Sequence, residues 1–277
     1  AFLGTQAEAP ARFDMALPSI ELDAPGVFSA PIAMRNVTLR GAIAPKDASI
    51  TFDEIDAVVD NARVALAGRL FWEADPQGVL RPGLTAKGGV TGAIDARAML
   101  RFWPVQFVKG ARNWVDQGVL GGRVSNAVFE ANISPAELQA KLLRNESLSL
   151  SFDFENANVR YVEGMTPITE GRGSAVLKGN RFDLTMASGR VGALALSQGR
   201  VELPRLNPKG AEATFAGRAQ GDARAMVDVH VTTLRVCYLA QRQAKPGAAF
   251  RAFLPGQRPP RRFFLEFTES DDHVLHA

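Results

Sequence analysis

The sequence predicts a mostly-β protein: an antiparallel meander with two inserted helical elements, near 95–117 and 135–144. Three observations carry this. Stretches of alternating apolar and polar residues recur along the chain, most cleanly at 147–155, and that period belongs to a strand with one face buried. Pro/Gly punctuation separates them at short intervals, which suits hairpins better than βαβ crossovers. The one long helical signal begins at Asp95, where Leu100, Trp103, Phe107, Ala111 and Trp114 recur every three or four residues.

In chain order, 16–23 and 34–43 are short alternating segments closed by Ala-Pro-Gly and Ala-Pro-Lys. Strands at 49–55 and 60–72 follow, the second with Val64, Leu66 and Leu70 on one face, and Asp-Pro-Gln-Gly at 75–78 turns the chain. Residues 79–90 are glycine-rich and aperiodic. Asp95 suits an N-cap. Pro104 disfavours helical geometry at Trp103, so the helix is expected to break there and restart at Val105. Gly118, Gly121 and Gly122 are expected to end it.

Residues 123–133 then alternate, with Ala127, Phe129, Ala131 and Ile133 facing one way and Asn126, Glu130 and Asn132 the other. Ser134 and Pro135 supply an N-cap and first helical position for a short helix to about Arg144. In 147–155, Leu148, Leu150, Phe152 and Phe154 share a face opposite Ser149, Ser151 and Asp153. The chain continues extended at 158–161, and 167–173 reads as a turn. Strands at 174–178 and 181–187 flank Gly179 and Asn180 as a hairpin, with Phe182, Leu184 and Met186 alternating. Ser-Gly-Arg at 188–190 and Gln-Gly at 198–199 read as turns around strands at 193–197 and 201–203. A loop at 204–210 leads to a last strand at 211–219, centred on Phe215.

A chain of 277 residues with 46% hydrophobic content has enough length for a real core. No run of about 18 uncharged apolar residues is present, so no helix is expected to span a membrane. The absence of an initial Met and of a signal-peptide pattern suggests an excerpt or a processed product. The net charge of +3 resides in the last stretch: residues 1–229 hold 25 basic and 25 acidic side chains. The body therefore offers no basic surface for nucleic acid. Residues 226–277 lose both periodicities and concentrate Arg, Pro, Ala and Gly, which predicts a disordered tail or one foreign to the domain.

All three histidines and the single cysteine, Cys237, lie after Val229. Cys/His and Ser/His/Asp nucleophile systems are thereby excluded from the body, as are ordinary zinc sites. Asp53, Glu54 and Asp56 form a carboxylate cluster without a calcium-loop pattern. Gly88, Gly89 and Gly92 do not keep a dinucleotide-cradle spacing. Lys109, Arg112 and Arg123 either meet an anionic headgroup or are simply solvated. Neither a catalytic residue, a cofactor nor a metal is expected, and the chain does not read as an enzyme.

The run Phe102–Trp103–Pro104, Ala111 to Val115 and Gly121 to Phe129, followed by the short helix, Ser151 to Tyr161, Thr166 to Gly173 and Gly179 to Leu184, resembles the AsmA-like C-terminal region of bacterial envelope proteins, the YhdP/TamB class. The similarity covers roughly 90–225. It implies a curved, open antiparallel β-groove (β-taco-like) with an apolar inner face, in a periplasmic protein tethered to the inner membrane by an anchor that this chain lacks. It also implies a role in moving phospholipid toward the outer membrane.

On that reading, residues 1–94 are an N-terminal strand segment of the groove and 95–225 its core. The lining would be Phe129, Ile133, Leu148, Leu150, Phe152, Phe154, Phe182, Leu184 and Met186, holding phospholipid acyl chains. Trp103, Phe107 and Trp114 either pack on the sheet or face lipid or a partner. An envelope scaffold with a closed β core, binding another envelope protein through β-edge contacts, explains the same alternation.

Overall fold

The computed structural model describes residues 9–105, 109–161, 163–207, 214–225 and 228–229, with strand segments at 266–268 and 274–275. The expectation for 226–277 falls almost wholly outside these residues, and Phe107 lies outside them too. Eleven long strands pair in chain order, each antiparallel to its neighbours. They are β1 (Ala11–Leu22), β2 (Ile32–Ala44), β3 (Ser49–Val59), β4 (Ala62–Ala74), β5 (Leu80–Asp95), β6 (Val119–Ile133), β7 (Leu148–Val159), β8 (Ile168–Lys178), β9 (Arg181–Val191), β10 (Leu194–Leu203) and β11 (Thr214–Gln220). Two short strands, β12 (Glu266–Thr268) and β13 (Val274–Leu275), extend the sheet beyond β11, β12 in parallel. Among the described residues β1 pairs with β2 alone, so the sheet does not close into a barrel.

The strands are longer than the turn signals predict, because several of those signals are β-bulges. Gln198, read as a turn with Gly199, takes φ 52° inside β10, where the register to β11 shifts between Ser197 and Arg200. The stretch 167–173 likewise lies almost wholly in β8, with Glu170 at φ 53°. Ser188–Arg190 belongs to β9, and the glycine-rich 79–90 is most of β5. Gly121 and Gly122 sit within β6, so the preceding helix ends at Gly118. A residue with positive φ and a polar side chain suits either a turn or a bulge; sequence chemistry alone does not separate them.

The helical insertion is broken, as Pro104 requires. A single 3-10 turn (Ala98–Arg101) precedes it, and the helix α1 (Lys109–Gly118) follows. Asp95 keeps its capping role from the end of β5: its carboxylate accepts from the N–H of Arg97 at 2.8 Å and of Ala98 at 3.2 Å. The second helix, α2 (Pro135–Ala140), starts where predicted but stops short of Arg144, because Lys141 turns left-handed at φ 53°.

α2 is fixed by one buried carboxylate. Glu137 accepts from the Ser134 N–H at 3.1 Å and the Ser134 hydroxyl at 2.8 Å, closing a capping box. Its other oxygen accepts from the Arg144 N–H at 3.0 Å and from the Ser147 hydroxyl. Burial pushes this carboxyl upward, but the bonds from Ser147, Arg144 and Ser134 outweigh it and hold the group well below the ordinary carboxylate range. A depressed folded value stabilises the fold above the unfolded value, about 4.3, and that contribution is lost as pH falls toward the folded one. Glu137→Ala should therefore cost about 2–3 kcal/mol at pH 7, since it strands buried donors. Urea denaturation should show the gap between Glu137→Gln and the unsubstituted protein shrinking below about pH 4.

Candidate functional site

Strand register places one row of residues directly opposite one another across ten strands. It runs Met15, Leu39, Ile55, Leu66, Gly88, Phe129, Leu150, Leu177, Phe182, Leu203. None is charged. The flanking row Phe152, Ala175, Leu184, Val201 and Phe215 is apolar too, as is Phe13, Gly41, Phe52, Gly68, Ala86, Ala131 and Leu148 on the other side. One face of the sheet is thus apolar over these three rows, as alternation at 124–133, 147–155 and 181–187 predicts.

No second sheet lies on that face among the described residues. Phe129, Leu148, Leu150, Phe152, Phe182, Leu184 and Met186 are all half-buried, and the largest fully buried side chains are only Leu194, Val37 and Ser147. A two-sheet sandwich interdigitates its inward side chains over a core about 10 Å thick. Here, side chains as large as phenylalanine are left partly in solvent.

The opposite face carries the charge, in pairs between neighbouring strands and, for Arg181 with Asp183, along one strand. Arg40 bridges Asp14 at 3.3 Å and Glu54 at 2.7 Å; Arg63 meets Asp56 at 2.8 Å, and Arg181 meets Asp183 at 2.7 Å. Two of the three clustered carboxylates are therefore neutralised by arginines. Asp153 accepts from the Asn126 amide at 2.8 Å. A cleft of about 550 Å³ on this face is floored by Ala65 and Ala67 and rimmed by Glu54, Asp56, Lys87 and Glu130, with Val128 59% exposed in it. It lies behind the apolar row.

Helices and loops close the two rims formed by the strand ends. At one rim, α2 and the loop after it cover Ala131 and Ile133 with Leu143, and Leu138 and Leu148 pack beside them. Ile133, 5% exposed, is thus held under α2, while Leu148 lies at its margin. At the other rim the insertion between β5 and β6 is tied across the loops. Arg101 pairs with Asp60 at 2.5 Å, and the Val105 N–H donates to the Val27 carbonyl at 2.8 Å. Arg112 donates to the carbonyls of Leu100 and Trp103 at 3.3 and 3.4 Å, joining helix to 3-10 turn. Trp103 and Trp114 are half-buried along this rim, and Arg123 is exposed. Phe154 lies at the same end in register with Val124 and Gly173, and its ring covers the glycine.

The sequence reading missed the β1–β3 portion of the apolar face: Phe13, Met15, Leu39, Ile43, Ile50 and Phe52. The alternation at 11–17 and 37–43 was the available signal, but glycine at 41 interrupts it.

An unroofed face predicts unequal penalties for equal truncations. Leu177→Ala, in mid-row, should cost about 1 kcal/mol by chemical denaturation, because the side chain is only half removed from water. Leu194→Ala, at 1% exposure in the cluster with Ala219 and Ala225, should cost about 2–5 kcal/mol.

Comparison with known proteins adds one finding. No curated protein and no solved structure matches the chain. The family model described as "YhdP protein" matches residues 2–237, which takes in every strand from β1 to β11. YhdP is not a known enzyme family. The chain belongs to the YhdP family, of the AsmA-like class of bacterial envelope proteins.

Proposed function

We propose that the apolar face is a non-enzymatic binding surface for phospholipid acyl chains, and that the chain is a lipid-transfer segment of a periplasmic, inner-membrane-anchored envelope protein. The observation that carries this reading is the uncharged row from Met15 to Leu203, open to solvent over ten strands. At about 4.8 Å between strands, the row is roughly 43 Å long. One leaflet's share of a bilayer core is about 15 Å, so the surface has length for an acyl chain to slide rather than sit in one slot.

The chemistry needed is slight. Each methylene withdrawn from water gains about 0.8 kcal/mol, and a uniformly apolar floor gives that gain at every position. Movement along the row then has no large barrier, which suits transfer better than storage. No acid, base or nucleophile takes part.

Native mass spectrometry of the full chain, expressed in the periplasm and exchanged out of mild detergent, tests this. Retained phospholipid is expected, lost when Leu150 and Phe152 are both changed to Asp while circular dichroism remains that of a β protein. A folded, lipid-free protein at physiological phospholipid supply would contradict the proposal and favour an envelope scaffold.

A further inference from the structure

Three loops meet at one point of the rim that α2 closes. The turn between β8 and β9 is pinned there through Asn180. Its backbone N–H donates to the Asn145 side-chain carbonyl at 3.3 Å, and its side-chain amide donates to the Asn207 carbonyl. Its side-chain oxygen accepts from the Asn207 N–H at 2.7 Å, and its backbone carbonyl accepts from the Leu206 N–H at 2.7 Å. The Asn207 amide in turn donates to the Lys141 carbonyl at 3.5 Å. Gly179 lets the loops close: a Cβ there would overlap the Arg144 carbonyl, and its φ of 48° is left-handed.

What these ties bring together is positive charge. The three loops and the strand ends beside them carry Lys141, Arg144, Lys178, Arg181 and Arg205. Arg144 pairs with Glu137 at 3.2 Å and Arg181 with Asp183 at 2.7 Å, while Glu202 nearby is held by Arg200 at 2.6 Å. Lys141, Lys178 and Arg205 are exposed and form no ion pair among the described residues. Glu146, exposed beside Arg144, is the acid left against them.

The apolar row reaches the rim at this same point. On β4 the row lies well inside the strand, with Ala67 to Ala74 still to follow Leu66. On β8 only Lys178 follows Leu177, on β9 Arg181 directly precedes Phe182, and on β10 Leu203 is the last residue. A hydrocarbon chain on Leu150, Leu177, Phe182 and Leu203 is thus a single register step, about 3.4 Å, from a cationic edge.

We infer that this rim is the headgroup site of the groove: Lys141, Lys178 and Arg205 receive the phosphate of a phospholipid whose acyl chains lie on the row, and they favour a headgroup of net negative charge over a zwitterionic one. The inference rests on the lipid-binding reading above. Row and rim together select an anionic amphiphile, since neither a neutral hydrocarbon nor a soluble anion uses both. A zwitterionic headgroup brings its own cation to a place already in excess of positive charge, and that repulsion supplies the preference. Two cations that the sequence offered for this role are engaged elsewhere. Arg112 donates to the Leu100 and Trp103 carbonyls, and Arg123 stands in register between Asp95 and Glu155.

Isothermal titration calorimetry of the full, lipid-stripped chain tests this. The ligands are dihexanoyl phosphatidylglycerol and dihexanoyl phosphatidylcholine, both below their micelle concentrations, and glycerol phosphate as the free anion. The test variant combines Lys141→Ser, Lys178→Ser and Arg205→Ser; a control combining Arg12→Ser, Lys46→Ser and Arg224→Ser removes the same charge from exposed positions elsewhere. Circular dichroism checks both, and if the test variant loses its β spectrum, Lys178→Gln and Arg205→Gln are read singly. Phosphatidylglycerol should bind about fivefold or more tighter than phosphatidylcholine at low salt, falling to within about twofold in the test variant and at high salt, while the control keeps the preference. Equal binding of the two lipids to the unsubstituted protein would overturn the headgroup site and leave the groove standing. So would loss of both lipids together in the test variant, which would make these residues structural, and so would an equal drop in the control, which would assign the preference to net charge. Glycerol phosphate binding as tightly as phosphatidylglycerol would overturn the link to the row and leave a site for free anions. No binding of either lipid would overturn the lipid-binding reading itself.

Discussion

Everything in this molecule depends on keeping ten strands in register on one face. Side chains alternate with a period of two, so a slip of one residue in any strand would carry its whole apolar set to the charged side. A sheet of this width twists and needs places to bend, and bends threaten register. The bulges meet both demands. At Asn126, with φ 53°, Val124 and Ala127 stand three residues apart yet both lie on the apolar side, one opposite Phe154 and the other opposite Val90. The irregular residue shifts the phase of the strand so that the face stays continuous. Glycines serve the same end: Gly41 and Gly173 lie where a neighbouring strand's backbone and a phenylalanine ring leave no room for a Cβ.

The two faces stabilise the sheet by different means. On the charged side, arginines bridge carboxylates between neighbouring strands, as Arg40 does between Asp14 and Glu54. Exposed pairs of this kind add little stability each, but opposite charges across strands favour the native register over a slipped one. On the apolar side, cross-strand contacts within a single layer bury small residues such as Ala127 and Ala175, and the clusters of larger buried residues lie at the rims. Glu137 fixes one rim through Ser134, Arg144 and Ser147; Arg101, Arg112 and the Val105–Val27 hydrogen bond tie the other. Contacts at both rims thus flank a floor that no described element roofs.

Much of this was legible in the residues. Alternation in 147–155 and 181–187 placed Leu150, Phe152, Phe182 and Leu184 on one face, and the register confirms that they share it. Ser134 with Pro135 marked the start of α2, and Pro104 marked the break in the helical insertion. Strand lengths were not legible, because Glu170 and Gln198 carry the same signals at a bulge that they would carry at a turn. The β1–β3 part of the apolar face was hidden for a related reason. Gly41 breaks the apolar alternation of β2 in one dimension, while in three dimensions it is the space across which Phe13 reaches Phe52. Whether an apolar face is roofed is a tertiary property, and periodicity along a single chain does not contain it.

The central claim is that the row is open to water when no lipid is bound. Cysteine reactivity measures this directly: single cysteines at Phe129, Leu150, Leu177 and Phe182 in a Cys237→Ser background, with Val128→Cys as the exposed reference and Leu194→Cys as the buried one. In lipid-free protein, the row cysteines should react with a water-soluble maleimide within about tenfold of the Val128 rate, with Leu194 orders of magnitude slower. Row cysteines as unreactive as Leu194 would mean that the face is roofed, and the groove account would be wrong.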